Sequence, residues 1–456
     1  MAVAMSCQYD MQEQNSMLIG RRMRRLTAES AVQPAHTINR PSHLTNMALL
    51  IAGLSGGQGM IFAVQSLLVA QGRLDLLSAF GTHYSFAMLG IIVTDGGTST
   101  ILARDMARRA GGQSTTEDLR RSFTEAIAFR LAMVALMAIA AAVYVMMMEP
   151  SAFSRAYVLC ALPGLLFWAS NVAGLLDGLG RSGVSGISSA LAYAASAAAL
   201  AFARVIPPEQ AGWLLGSAFS AGYFATVLTQ WIALRRCGWM IGISRVAPGG
   251  LARAFKNGTA MLFQLLPGQL LLRAQLALSA TYLGHEMTAV FTYVRQIIAA
   301  LTMIVAVILR VDFPGLVERT SRRSELHLSM AFAAQKMSLH AAIALAAGAV
   351  IVSSLSYLVP QNRFSAAGQT LLIFAPTILA ISLSLLMAQA MLALGQYTRL
   401  AAITAAACTV GTAISYLLVS YANLYAFLIG ELAFHIFGFV FMRQSIERPG
   451  KRLIDL

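Results

Sequence analysis

The chain has 456 residues, of which 57% are hydrophobic and 11% charged, with a mean hydropathy of +0.67 and a formal charge of +14. A soluble domain carries about 25% charged residues, so this composition excludes a soluble protein and indicates a polytopic membrane protein. A transmembrane barrel is excluded too, because it needs strands of roughly ten residues with alternating polarity, and no such alternation is present.

Residues 1–43 read as a flexible polar tail with the cluster Arg21-Arg22-Met23-Arg24-Arg25 and no apolar run suited to a cleaved signal. Twelve apolar runs follow, at about 47–70, 77–94, 123–148, 153–176, 184–205, 211–234, 258–282, 287–311, 338–358, 368–392, 397–420 and 424–441. Many are rich in Ala, Gly and Ser, which let helices approach closely in lipid. The predicted fold is an all-α integral membrane protein of about 12 transmembrane helices. Its domains are an N-terminal six-helix lobe over 44–236, an inter-lobe linker over 237–257, a C-terminal six-helix lobe over 258–443 and a tail over 444–456.

Most of the 33 Lys and Arg residues fall on alternate loops, among them Arg104, Arg108, Arg109, Arg120 and Arg121, then Arg235, Arg236, Arg245, Arg253 and Lys256, then Arg310, Arg319, Arg322, Arg323 and Lys336. The positive-inside rule makes this side cytoplasmic and places both termini there. The positive charge is thus a topology signal with an affinity for anionic lipid heads, and no nucleic-acid role is expected. Cys7, Cys160, Cys237 and Cys408 lie in separate elements without ligand spacing, so no metal site, cofactor or disulfide framework is predicted.

The two halves match weakly but in order. Gly57-Gln58 pairs with Gly268-Gln269, Phe80 with Phe291, Leu162-Pro163 with Ala375-Pro376, and Leu179-Gly180 with Leu394-Gly395. Six spans separate each pair. An even spacing gives both halves the same orientation, so the lobes should be related by a pseudo-two-fold along the membrane normal, with substrate between them. Ser55-Gly56-Gly57 and Pro267-Gly268 are expected to interrupt their helices at corresponding positions, either as binding-site breaks or as packing kinks.

Arg273 and Arg295 flank the short link around Gly284 at similar depth, and a charge there costs roughly 2.5–3.5 kcal/mol on insertion scales. A pair of arginines at one level calls for an anion between them, and a planar guanidinium fork suits pyrophosphate. Gln269 lies one turn from Arg273, and Thr292 belongs to a small-and-polar stripe with Thr288, Ala299 and Thr302. Gln58, Tyr84 and Asn171 are the expected counterparts in the first half, contacting sugar hydroxyls. Glu431 and His435, one turn apart on the last span, form a candidate ion-coupling pair; the competing expectation is that Glu431 neutralises an arginine inside its lobe. Arg130 and Glu125 are expected near the inner end of the third span, with Arg130 snorkelling. Asp177 is expected to pair locally with Arg181, and Asp95-Gly96-Gly97 to form a turn.

The stretch Ala48–Arg109, including "LLVAQGRLDLLSAFGTHYSFAMLG" and "VTDGGTSTILARDMARR", with "GLGRSG" and "ALGQYTR" at the later turns, resembles bacterial polysaccharide and O-antigen repeat-unit flippases of the multidrug/oligosaccharidyl-lipid/polysaccharide (MOP) exporter superfamily. That resemblance implies a MATE-like fold in the bacterial cytoplasmic membrane. It further implies passage of an undecaprenyl-pyrophosphate-linked oligosaccharide by alternating access, with membrane lipids, a polysaccharide polymerase and chain-length machinery as partners. A cation-coupled multidrug exporter of the same superfamily is the alternative. A membrane glycosyltransferase or polymerase fits less well, because the outer loops are too short to carry positioned acid and base residues; no catalytic residue is expected.

Overall fold

The computed structural model describes residues 42–147, 151–245, 249–321, 328–355 and 365–447. The tail cluster around Arg21, Cys7 and the end of the C-terminal tail lie outside them. Among the described residues, twelve helices are long and apolar enough to cross a membrane. The chain is a multi-pass membrane protein.

The N-terminal lobe contains α1 (His43–Ala70), α2 (Leu74–Asp95), the short α3 (Thr98–Ala110), α4 (Thr116–Met147), α5 (Ala152–Ala169), the single turn α6 (Ala173–Gly178), α7 (Ser182–Ala203) and α8 (Pro208–Arg236). The C-terminal lobe contains α9 (Gly250–Tyr282), α10 (Gly284–Ser321), the short α11 (Leu328–Ala334), α12 (Lys336–Leu355), α13 (Ser365–Ala393), α14 (Tyr397–Ala422) and α15 (Leu424–Glu447). In the first lobe α1 packs on α7, α5 on α8 and α7 on α8; in the second α9 packs on α14, α13 on α15 and α14 on α15. The same packing scheme is therefore used twice.

Local geometry repeats as closely. Gly180 (φ +74°) and Gly395 (φ +75°) both take the left-handed conformation that glycine adopts without a Cβ penalty. The turns around them share one hydrogen-bond pattern. Gly180 N–H donates to Asp177 O and Arg181 N–H to Leu176 O; Gly395 N–H donates to Leu392 O and Gln396 N–H to Met391 O. Pro163 lies inside α5 and Pro376 inside α13. Phe80 and Phe291 are both buried, each at the centre of its own lobe: Phe80 stacks on Tyr84 at 4.9 Å, and Phe291 lies 5.4 and 5.1 Å from Phe374 and Phe427.

The expected helix interruptions do not occur. α1 runs unbroken through Ser55-Gly56-Gly57, and α9 runs unbroken through Pro267. In α1 two glycines, Gly53 and Gly57, serve packing. A Cβ at Gly53 would lie 2.4 Å from the Gly186 backbone, and one at Gly57 would lie 2.7 Å from the Tyr193 ring, so both permit the close α1–α7 approach. The carbonyl of Pro267 is contacted from α14 by the Cys408 thiol at 3.2 Å.

Candidate functional site: the inter-lobe cavity

The lobes touch in the half of the molecule that carries the basic loops. Leu50 of α1 clusters there with Val307 and Val311 of α10, and Ala103 and Ala107 of α3 with Met261, Phe313 and Leu392 of α9, α10 and α13. Phe129 of α4 meets Phe255 of α9 edge-on at 5.4 Å. Gly97 has a φ of +70°, and a Cβ there would lie 2.6 Å from Met261, so this glycine both makes the turn after α2 and lets the lobes approach.

Polar bridges among the described residues reinforce the closure. Arg310 of α10 donates from Nε to Asp177 Oδ2 at 2.7 Å and from Nη2 to Ser185 Oγ at 2.9 Å, while Ser185 donates to Asp177 Oδ1 at 2.7 Å. His43 Nε2 lies 2.8 Å from Asp312 Oδ1, whose other oxygen accepts from Ser338 at 2.7 Å. Arg104 Nε donates to the Ala393 carbonyl, at the end of α13, at 2.9 Å. Such a cation at a helix C-terminus satisfies an end carbonyl and opposes the negative end of the helix dipole.

Above this seal lies a cavity of about 560 Å³, walled by Asp95, Asp177, Ser189, Tyr193, Tyr223 and Trp168 of one lobe and by Gln264, Arg310 and Gln389 of the other, among apolar residues. Towards the opposite end, α1 and α9 present exposed side chains, including Gln58 and Phe62 on α1 and Gln269 and Arg273 on α9. The molecule is sealed at the end with the basic loops.

The sequence-predicted residues separate into three groups. Gln58, Gln269 and Arg273 are exposed, and among the described residues Arg273 makes no ion pair or side-chain hydrogen bond. Arg295, by contrast, is bonded to Glu431 of α15, a carboxylate with 2% exposure. The competing expectation, a carboxylate neutralising an arginine inside one lobe, holds for Arg295. His435 extends the pair, with Nε2 4.0 Å from Glu431 Oε1 and Nδ1 3.1 Å from Ser384 Oγ. Thr292 spends its hydroxyl on the Thr288 carbonyl one turn back. Arg273 and Arg295 therefore do not act as one matched pair: the first has no partner and the second is committed.

Tyr84 and Asn171 stand elsewhere than expected. Tyr84 packs into the aromatic core of the N-terminal lobe, against Phe80 and edge-on to Phe219 at 6.2 Å. Asn171 is fully buried, accepting from Ser99 at 3.3 Å and donating to the Trp168 carbonyl at 2.9 Å. A chain that buries an aromatic core places its tyrosines by apolar area, which repeat matching does not distinguish from cavity lining.

Asn171 belongs to a network that sequence reasoning missed. Arg130 does not snorkel; it is 0% exposed. Its Nη2 donates to Asp95 at 2.7 Å and Ser99 at 3.0 Å, its Nε to Thr98 at 2.7 Å, and its Nη1 to the carbonyls of Asn171 at 2.8 Å and Ala169 at 3.4 Å. The break between α5 and α6 exposes those carbonyls, and Arg130 satisfies them. Asp177, expected to pair with Arg181, is held across the lobe interface by Arg310. The one sequence signal for that bridge is Arg310-Val311-Asp312, a charged interruption in an apolar run that α10 carries on to Ser321.

No protein-family model matches the chain, and no curated protein sequence matches it. Solved structures do. An outward-facing multidrug resistance MATE family transporter of the MOP superfamily superposes with a TM-score of 0.72 at 15% identity, covering 89% of this chain and 95% of that one. A MATE structure in the bent conformation gives 0.72 at 14% identity over 91% and 98%. A MOP superfamily transporter from Pyrococcus furiosus gives 0.67 at 15% identity over 92% and 99%. The chain, two matched six-helix lobes around a cavity sealed at one end, has the fold of the MATE transporters of the MOP superfamily.

Proposed function

We propose that the chain is a transporter, without covalent chemistry, that flips an undecaprenyl-pyrophosphate-linked oligosaccharide across the bacterial cytoplasmic membrane for surface polysaccharide synthesis. The observation that carries this reading is the distribution of charge over the cavity and the exposed face of α9. Asp95 and Asp177 are each bonded to an arginine, while among the described residues Arg273, exposed on α9, has no partner. An organic cation would find no free carboxylate there, whereas a phosphate-bearing head group would find a guanidinium able to donate paired hydrogen bonds.

In this reading the basic-loop end is cytoplasmic, as the loop charges predict. Substrate enters when that end opens, which separates Arg310 from Asp177, His43 from Asp312 and Arg104 from the end of α13. The glycan needs a polar path and the prenyl chain does not, so the head group passes between the lobes, contacting Gln58, Gln269 and Arg273, while the tail stays in lipid. Glu431 and His435 are the proposed ion-coupling groups: a proton taken by Glu431 would loosen its hold on Arg295 and leave that guanidinium free for an anion. Export that stayed fully sensitive to a proton ionophore in Glu431→Gln would remove this coupling role.

The test is a deletion strain in which lipid-linked repeat units accumulate on the inner leaflet and surface glycan disappears, complemented by wild type and by Arg273→Gln with Arg295→Gln. Full glycan export by the double variant at normal protein levels would overturn the anion reading. The second reading, a cation-coupled multidrug exporter, draws support from the likeness to a multidrug resistance transporter and from the aromatic wall of Trp168, Tyr193 and Tyr223. The Pyrococcus furiosus relative, itself described as having a binding pocket of reversed polarity, favours a departure from that chemistry within one fold. Drug resistance conferred by the chain, with glycan export unaffected by its deletion, would select the second reading.

A further inference from the structure

A second cavity, of about 340 Å³, lies at the basic-loop end, apart from the one just described. Its volume is near the lower end for small-ligand sites, roughly 300–1,000 Å³. The N-terminal lobe contributes Arg108, Gln113 and three carboxylates, Asp105, Asp118 and Glu125, and the C-terminal lobe contributes Arg253 and Tyr397. Arg104 spans the two, lining the cavity while bonded to the Ala393 carbonyl and, at 3.4 Å, to Asp105.

Polar atoms here lack partners. Glu125 Oε1 and the Tyr397 hydroxyl are buried without a hydrogen bond, on side chains only 8% and 5% exposed, and Arg108 Nε, Gln113 Oε1 and Ser114 Oγ are likewise unbonded. Buried polar groups are bonded in nearly all cases, so five orphans around one cavity call for an occupant. Within the wall Arg104 pairs with Asp105 at 3.4 Å, but among the described residues Arg108, Arg253 and Glu125 make no ion pair.

An anion alone would satisfy the arginines and be repelled by Glu125; a cation alone would do the reverse. A zwitterion with a phosphate at one end and an N–H donor at the other satisfies both. The cavity is built at helix ends, which in a membrane bundle sit at head-group level. We propose that it binds a phosphoethanolamine head group, with the phosphate on Arg104, Arg108 and Arg253 and the ammonium on Glu125 and Gln113. Because the walls come from both lobes, the bound head group holds this end shut and favours the conformer described above.

The test uses full-length protein in nanodiscs of phosphatidylglycerol alone or mixed with either phosphatidylethanolamine or phosphatidylcholine. Phosphatidylethanolamine raises the unfolding temperature by roughly 2–4 °C over the other two, since a trimethylated head cannot donate to Glu125. Spin labels across the closed end report a larger closed fraction in the same discs. Glu125→Gln loses the preference for ethanolamine over choline, and Arg108→Gln weakens the stabilisation by phosphatidylethanolamine. Soluble glycerophosphoethanolamine in detergent separates the sources: stabilisation there makes the free head group sufficient, and stabilisation in discs alone makes the intact lipid the ligand. Equal unfolding temperatures of the wild type in all three compositions, with no effect of the soluble probe, would overturn the proposal, as would a Glu125→Gln protein that keeps the preference.

Discussion

Arg130 and Arg295 are both arginines bonded to a carboxylate within a helix lobe, one in each half of the molecule, and they are held in opposite ways. Every nitrogen of Arg130 donates, to Asp95, Thr98, Ser99 and two carbonyls at the α5–α6 break, and the residue is closed to solvent. Arg295 bonds Glu431 through Nη1 alone; its Nε is buried without a partner, and its side chain keeps 14% exposure. A saturated guanidinium has nothing left to offer a ligand and acts as a staple. One with a spare donor can exchange partners. The same residue type is thus fully bonded in one lobe and only partly bonded in the other.

Substitutions can break or sharpen that contrast. The largest effect is expected for Arg130→Gln, which leaves Asp95 without its cation and two carbonyls unbonded; losing one partner of a buried pair costs about 3–5 kcal/mol. Folded yield and thermal unfolding of the purified variant measure it, and a loss below about 1 kcal/mol would remove the staple role. Arg295→Gln is expected to destabilise by roughly 1–3 kcal/mol, because Glu431 keeps His435 beside it. Adding Glu431→Gln should restore stability without restoring transport, since the charge that would meet the substrate is still missing. Recovery of both would make the pair purely structural.

Arg310→Gln sits lower on the scale. Arg310 is about one-third exposed, so a lobe should lose little stability, but the seal weakens. A coupling of about 1–2 kcal/mol corresponds to a roughly 5–30-fold shift towards the conformer open at the basic-loop end. Distance distributions between spin labels on α6 and α10 report it, and Asp177→Asn should give the same shift; opposite shifts would dissociate the two residues. The smallest structural effect is expected for Arg273→Gln, within about 0.5 kcal/mol, because the residue is exposed and without partners. Its effect should fall instead on export of the anionic substrate.

The distances along the chain explain how much of this could be read beforehand. The Gly180 and Gly395 turns and the buried Phe80 and Phe291 obey local and repeat rules, and they stand where the pattern places them. Asp177–Arg310 and Asp95–Arg130 join residues 133 and 35 positions apart, through helices with no periodic signal for which faces meet. Proline and glycine runs were a poor guide: α1 and α9 absorb them as continuous helices.

The sequence by itself determined the number of spans, their membrane character and the twofold repeat, because apolar length and composition are properties of each segment alone. The level of Arg295 and Glu431 was legible for the same reason, since rise per residue fixes depth along a helix. Which charges are spent and which are free was decided by tertiary structure. An ion pair depends on how two helices are rotated and packed, and only the folded lobes leave Arg273 open, commit Arg295 to Glu431, saturate Arg130 and seal the cavity with Arg310.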